Sequence, residues 1–97
     1  MRLRLSAAAD LDLQALYERG FDDFGEAQAD RYYDGILDAF ERIRLHPRAA
    51  RTRLVEGYEF RVLPYRSHSI VYQIVEDVIV ITRVLHGAQD LKRHLPR

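Results

Sequence analysis

The residues best suited to chemistry gather near the C-terminal end of the chain. Arg83-Val84-Leu85-His86-Gly87 closes an apolar, β-branched stretch, and Asp90-Leu91 follows after the glycine. A basic tail then runs from Lys92 to Arg97. An imidazole with its unperturbed pKa near about 6.5 exchanges protons around neutral pH. His86 could therefore serve a phosphodiester as acid or base, or donate structurally to a backbone carbonyl at the sheet margin. Glu59 and Arg61 stand two apart on a strand and share a face, as a base–cation pair or as partners in a cross-strand salt bridge. The cluster Arg48, Arg51, Arg53, Arg61 and Arg66 could meet nucleic-acid phosphates, an acidic partner segment, or only solvent. Tyr58, Tyr65 and Tyr72 do not interleave with it as a single-strand stacking platform would require, so no direct sequence-specific nucleic-acid binding is expected. His46, His68, His86 and His94 show no recognisable ligand spacing, so no metal is expected. There is no Gly-rich phosphate loop and no serine-nucleophile motif, and no cofactor is expected.

These groups must be positioned by a small frame. The 97 residues suit a single domain, 1–97. A chain of this size buries only roughly 60–65% of its unfolded surface, which allows one modest core. Cysteine is absent, excluding disulfides and thiolate metal sites and suiting a reducing, cytoplasmic setting. Met1 to Ser6 holds no long apolar run, so no signal peptide is expected. No segment approaches the ~20 apolar residues that span a bilayer, so no membrane partner is expected either. The net charge is zero, but it divides unevenly: residues 7–41 hold ten acids against Arg19 and Arg31, while residues 42–97 hold eleven bases against five acids. Such asymmetry predicts either two functional faces or a solvated acidic hairpin beside an Arg-rich sheet.

Arg2 to Ser6 alternates charged and apolar residues, as a strand with one buried face does. Ser6 is a good N-cap for a helix from Ala7 to Phe21 or Phe24. Ala9, Leu13, Leu16, Gly20 and Phe24 form its stripe. A second helix runs from Glu26 to before Pro47, with the stripe Ala29, Tyr33, Ile36, Phe40 and Ile43. The short connection Asp22–Gly25 implies an antiparallel hairpin. Pro47 to Arg53 reads as loop, followed by strands at about 53–56, 58–63, 67–75 and 78–85. The last two join at a tight Glu76-Asp77 turn. Val78 to Ile81 is apolar on both faces, predicting an interior strand. Asp90 to Leu95 can form a terminal helical turn. The class is α+β: an N-terminal strand, an antiparallel helix hairpin, then a three- to four-stranded antiparallel sheet with the hairpin on one face.

The chain resembles the ParE/RelE toxin superfamily of bacterial type II toxin–antitoxin modules. The likeness runs through Leu3–Tyr17, Phe24–Ile43, His46–Arg53, Ser67–Ile74 and Arg83–Leu91, in that order and spacing. The segment Arg83–Leu91 looks most like the ParE branch. The resemblance implies a RelE/ParE-like fold, and a toxin neutralised by an antitoxin whose C-terminal segment folds over it. ParE-type members poison DNA gyrase, whereas RelE-type members cleave mRNA on the ribosome. The nuclease branch places Arg, Arg and Tyr where this chain has Ser69, Gln89 and Leu95, and two Lys where it has Phe60 and Val62. A one-residue slip would bring Arg61 into one of these positions. Cleaving RNA without a metal needs a base, a proton source and cations on the phosphate. That set is missing, so the resemblance implies a non-enzymatic inhibitor of DNA gyrase with a ParD-like antitoxin as partner. The alternative is a ribosome-dependent mRNA endonuclease.

Apolar residues off or flanking the core stripes, chiefly Leu11, Tyr17, Phe21 and Leu37, are the expected antitoxin contacts. Leu45 is also off-stripe. Arg83, His86, Lys92 and Arg93 are the expected target contacts.

Overall fold

The computed structural model describes residues 1–87 and 91–95, with backbone alone at Lys92. Its elements are β1 (Arg2–Leu5), α1 (Ala7–Phe24), α2 (Glu26–Leu45), β2 (Arg51–Val55), β3 (Tyr58–Tyr65), β4 (His68–Val75), β5 (Val78–His86) and α3 (Leu91–His94). The five strands form one sheet in the order β1-β5-β4-β3-β2. The class is α+β, with one addition to the expected sheet: β1 joins it as an edge strand parallel to β5, pairing Leu3 with Ile79 and Leu5 with Ile81. The other pairs are antiparallel. β5 is interior, which suits its apolar residues on both faces.

Ser6 performs the predicted cap and more. Its Oγ accepts the Ala9 N–H at 3.0 Å, satisfying one open donor of α1. The same hydroxyl donates to the Thr82 carbonyl at 2.7 Å, and the Ser6 N–H donates to the Ile81 carbonyl. The helix start is thereby tied to β5. α1 runs unbroken through Gly20, and the turn to α2 is the single residue Gly25, at φ 87°. Only glycine adopts that conformation without steric cost. The predicted connection at Asp22–Gly25 is therefore shorter than expected, with Asp22 to Phe24 helical.

Ala9, Leu13, Ile36, Ala39, Phe40 and Ile43 of the hairpin pack on Ile70, Tyr72, Ile79, Ile81 and Val84 of the sheet. Leu16 and Tyr33 support them from partly buried positions. The stripe read from α1 ends early, because Phe24, last in the helix, is 65% exposed. A Cβ at Gly35 would collide with the Tyr65 hydroxyl, so glycine lets that phenol lie against α2. The buried Tyr72 donates to the Pro47 carbonyl at 2.7 Å, and Arg61 donates to the carbonyls of Arg48 and Ala50. The predicted Glu59–Arg61 salt bridge gives way to these backbone bonds, which pin the segment entering β2. That strand begins at Arg51, inside the stretch read as loop.

The β4–β5 turn has Glu76 and Asp77 at φ 48° and 64°, the left-handed pair of a two-residue hairpin. Farther out, Val71 pairs with Arg83 but Tyr72 pairs with Ile81, so Thr82 is an extra residue in β5. This bulge reverses the alternation. Ile79, Ile81 and Val84 face the helices, while Leu85 faces the opposite side. There Leu91 and Leu95 of the predicted terminal turn cover Phe60, Val71 and Leu85. Asp90, where that turn was expected to begin, lies outside the described residues.

Candidate functional site

β1 ends opposite Ile81, and β5 continues beyond it. Asp12, in the second turn of α1, takes over the open edge: its Oδ2 accepts the Val84 N–H at 2.8 Å. The same carboxylate receives Arg83, with Nε–Oδ2 at 2.8 Å and Nη2–Oδ1 at 2.9 Å. Arg83 Nη1 donates to the His94 carbonyl at 2.8 Å. This pair is largely buried, and its two-pronged geometry is the strong form of an Arg–carboxylate contact. Asp12 raises the proton affinity of the guanidinium. Arg83, expected at the target surface, thus joins α1, β5 and α3 within the chain.

His86, also expected at the target surface, is exposed at the end of β5. Across the sheet it pairs with His68, the two rings lying 5.2 Å apart and nearly perpendicular. His68 Nδ1 lies 2.7 Å from Tyr32 Oη on α2. The same phenol oxygen accepts the Ser67 N–H at 3.2 Å. Burial lowers the His68 pKa, and the His86 charge lowers it further. Burial raises the Tyr32 pKa. These side chains line a groove of about 510 Å³ with Arg66 and Ser67 of the β3–β4 turn and with Arg19 and Asp23 of α1. Sequence reading named His86 as a proton-transfer or target residue, Arg66 within the arginine cluster and His68 among the histidines weighed for a metal, without joining the three. Tyr32 carries no local signal that joins it to them.

The proposed antitoxin contacts lie on the hairpin. Leu11, Phe21 and Leu37 are exposed, Leu11 most of all at 63%. Tyr17 is half-buried between the helices and donates to Asp30 at 2.6 Å. That carboxylate pushes the phenol pKa up to about 12, chiefly through the hydrogen bond. Tyr17 also meets Tyr33 edge-on, with ring centres 5.8 Å apart. Asp10, Glu18 and Asp30 give this surface its acidic character. Arg93 is exposed on α3, whereas the Lys92 side chain lies outside what is described.

Phe60 and Leu95, which replace a Lys and a Tyr of the nuclease pattern, are 2% and 6% exposed and pack in one apolar cluster. Val62 packs at its edge, and Gln89 lies outside the described residues. Arg51 and Arg53 are exposed on β2, and Arg48 is exposed ahead of it. Among the described residues no three His, Asp or Glu side chains are grouped to hold a metal ion. No described helix is long and apolar enough to cross a membrane.

Residues 3–91 match the family described as the ParE toxin of the type II toxin–antitoxin system parDE. Toxin ParE1 from two Mycobacterium tuberculosis strains is 33% identical over 97 residues, covering 97% of this chain and 97% of the relative. A solved structure, the chromosomal ParDE TA system from P. aeruginosa, superposes with a TM-score of 0.77. That match covers 89% of this chain and 95% of the other, and its 22% identity speaks to the fold alone. The family match and the Mycobacterium tuberculosis relatives agree over almost the full length: this chain belongs to the ParE toxin family of type II toxin–antitoxin systems.

Proposed function

We propose that this protein is a cytoplasmic toxin that inhibits DNA gyrase by binding, without chemistry of its own, and that a ParD-like antitoxin neutralises it by direct contact. The observation that carries the non-enzymatic reading is the apolar cluster on the sheet face away from the helices. Phe60, Val71, Leu85, Leu91 and Leu95 occupy that face, and none can move a proton or steady a phosphate. Recognition is then the remaining task, and the surfaces suited to it are separate. The antitoxin lies along the hairpin over Leu11, Phe21 and Leu37, with Tyr17 between the helices, in the helix-in-groove manner that uses exposed apolar anchors. Gyrase meets the end of β5 and the basic tail through His86, Lys92 and Arg93. Arg83 supports that surface from beneath through Asp12 and His94.

Two measurements test this reading. With purified gyrase, the protein should inhibit supercoiling and raise the level of cleaved DNA, and on programmed ribosomes it should leave mRNA intact. Codon-specific cuts in the ribosomal A site, abolished by His86→Ala or Arg61→Ala, would instead make it a nuclease with a rearranged site. Against a ParD-like antitoxin, Leu11→Glu or Tyr17→Glu should weaken binding with the fold retained. Wild-type affinity in both variants would move the interface elsewhere. Replacing Lys92 and Arg93 together by Glu should lower toxicity while antitoxin binding persists.

A further inference from the structure

We propose that the groove between the connected end of the helical hairpin, near Gly25, and the β3–β4 turn is a phosphate-binding site, with Arg66, Ser67, His68 and His86 as its ligands. The helical half of the chain is strongly acidic, yet here its edge meets a concentration of donors. The groove is lined by Arg19, Arg66, His68 and His86 against one carboxylate, Asp23. Arg19 and Asp23 lie 3.9 Å apart on the exposed side of α1 and offset each other. Arg66 is left as the permanent positive charge. It sits at φ 49° in the turn, 5.8 Å from the Tyr65 ring, and its charge is felt at the Tyr32 hydroxyl.

His68 is a prepared donor. Tyr32 Oη accepts the Ser67 N–H, and its own proton has two acceptors in reach, His68 Nδ1 at 2.7 Å and the Tyr65 carbonyl at 3.4 Å, of which the imidazole is the nearer. A neutral His68 held this way carries its proton on Nε2. The His86 ring stands 5.2 Å away across β4 and β5 and adds a second imidazole. A guanidinium, two imidazoles and the Ser67 hydroxyl suit a tetrahedral oxyanion, whose several oxygens accept from different directions. A planar carboxylate offers only two. A space of about 510 Å³ holds a phosphate together with an attached sugar. A metal is the weaker occupant, because no third ligand accompanies the imidazoles among the described residues.

The site lies apart from the apolar face that replaces the nuclease residues, and it does not depend on gyrase being the target. Binding should strengthen as pH falls below about 6.5, the ordinary imidazole value, because burial lowers the His68 pKa. The group that sets this dependence is His68, with His86, Tyr32, Arg66, Arg19, Asp23 and Asp12 as its charged or titratable neighbours.

The experiment follows the His68 and His86 ring signals by NMR during addition of sodium phosphate, with chloride adjusted to hold ionic strength. Both signals should shift saturably, and the His68 pKa should rise in phosphate. Arg66→Gln, at an exposed turn position, should weaken binding by about fivefold or more, and acetate should produce no saturable shift. Adenosine monophosphate and a short single-stranded oligonucleotide distinguish the source of the phosphate. Tighter binding of the mononucleotide identifies a terminal phosphate, and tighter binding of the oligonucleotide a backbone phosphate. The absence of a saturable shift at tens of millimolar phosphate overturns the proposal. So does a shift that acetate reproduces or that Arg66→Gln leaves unchanged.

Discussion

The two faces of the sheet are closed by different means. On one, two long helices lay periodic apolar stripes over Ile70, Tyr72, Ile79, Ile81 and Val84. On the other, the four-residue α3 and Leu95 cover Phe60, Val71 and Leu85. A helix that short has no stability of its own in water, so its place is set by what it touches. Those contacts are Leu91, Leu95 and the hydrogen bond from Arg83 to the His94 carbonyl. The helix face is secured by repetition along the chain. The far face rests on a small apolar cluster and on Arg83, which the Asp12 carboxylate orients toward the His94 carbonyl, and Phe60, Val62 and Leu95 there stand where the nuclease pattern has polar residues.

Substitutions on each side can break or sharpen that contrast. The largest effect is expected on the helix face: Phe40→Ala should cost about 3–5 kcal/mol, out of the ~5–15 kcal/mol available to a small domain. An unchanged thermal midpoint would sink the assigned helix face. Asp12→Ala comes next at about 2–4 kcal/mol, since it strands the Arg83 charge and leaves the Val84 N–H without its acceptor. Denaturant unfolding gives the magnitude, and faster amide exchange at Val84 would locate it. Leu95→Ala should cost about 2 kcal/mol, at the low end for its type because a helix as short as α3 can settle into the gap. Its NMR shift changes should stay on the far face. Spread of those changes into α1 and α2 would mean that the two faces are not independent.

Smaller effects follow from charge. Burial and the His86 charge hold the His68 pKa below its ordinary value, so the unfolded chain binds that proton more readily. His68 therefore contributes its full stability above about 6.5 and loses it progressively as pH falls from there toward the lowered folded value. His86→Gln removes one cause and should raise the His68 pKa and flatten this decline, as read by denaturation at stepped pH and by NMR titration. The smallest effect is expected at Glu41–Arg44, an exposed pair within one helix. Solvent and salt screen it, and Arg44→Ala should leave the thermal midpoint unchanged. A clear drop there would argue that α2 depends on its outer surface as well as its core.

Much of this architecture is local and was therefore legible in the chain. The four-and-three spacing of Ala29, Tyr33, Ile36, Phe40 and Ile43 fixes the buried side of α2 wherever that helix docks. Ser6 caps α1, Pro47 ends the second helical stretch, and Glu76-Asp77 turns the last hairpin, each through the chemistry of its own backbone. Phe60 and Leu95 already placed apolar groups where a nuclease needs polar ones. The tertiary structure alone decided what stands opposite what. Counting outward from the Glu76-Asp77 turn sets Leu85 against His68, but the extra residue Thr82 brings His86 there instead and exchanges the faces of Val84 and Leu85. Asp12 and Arg83 meet from 71 residues apart, and Tyr32 reaches His68 from 36. No periodicity encodes such meetings. They follow from a one-residue slip in strand pairing and from the docking of a helix hairpin, both settled by the packing of the whole molecule.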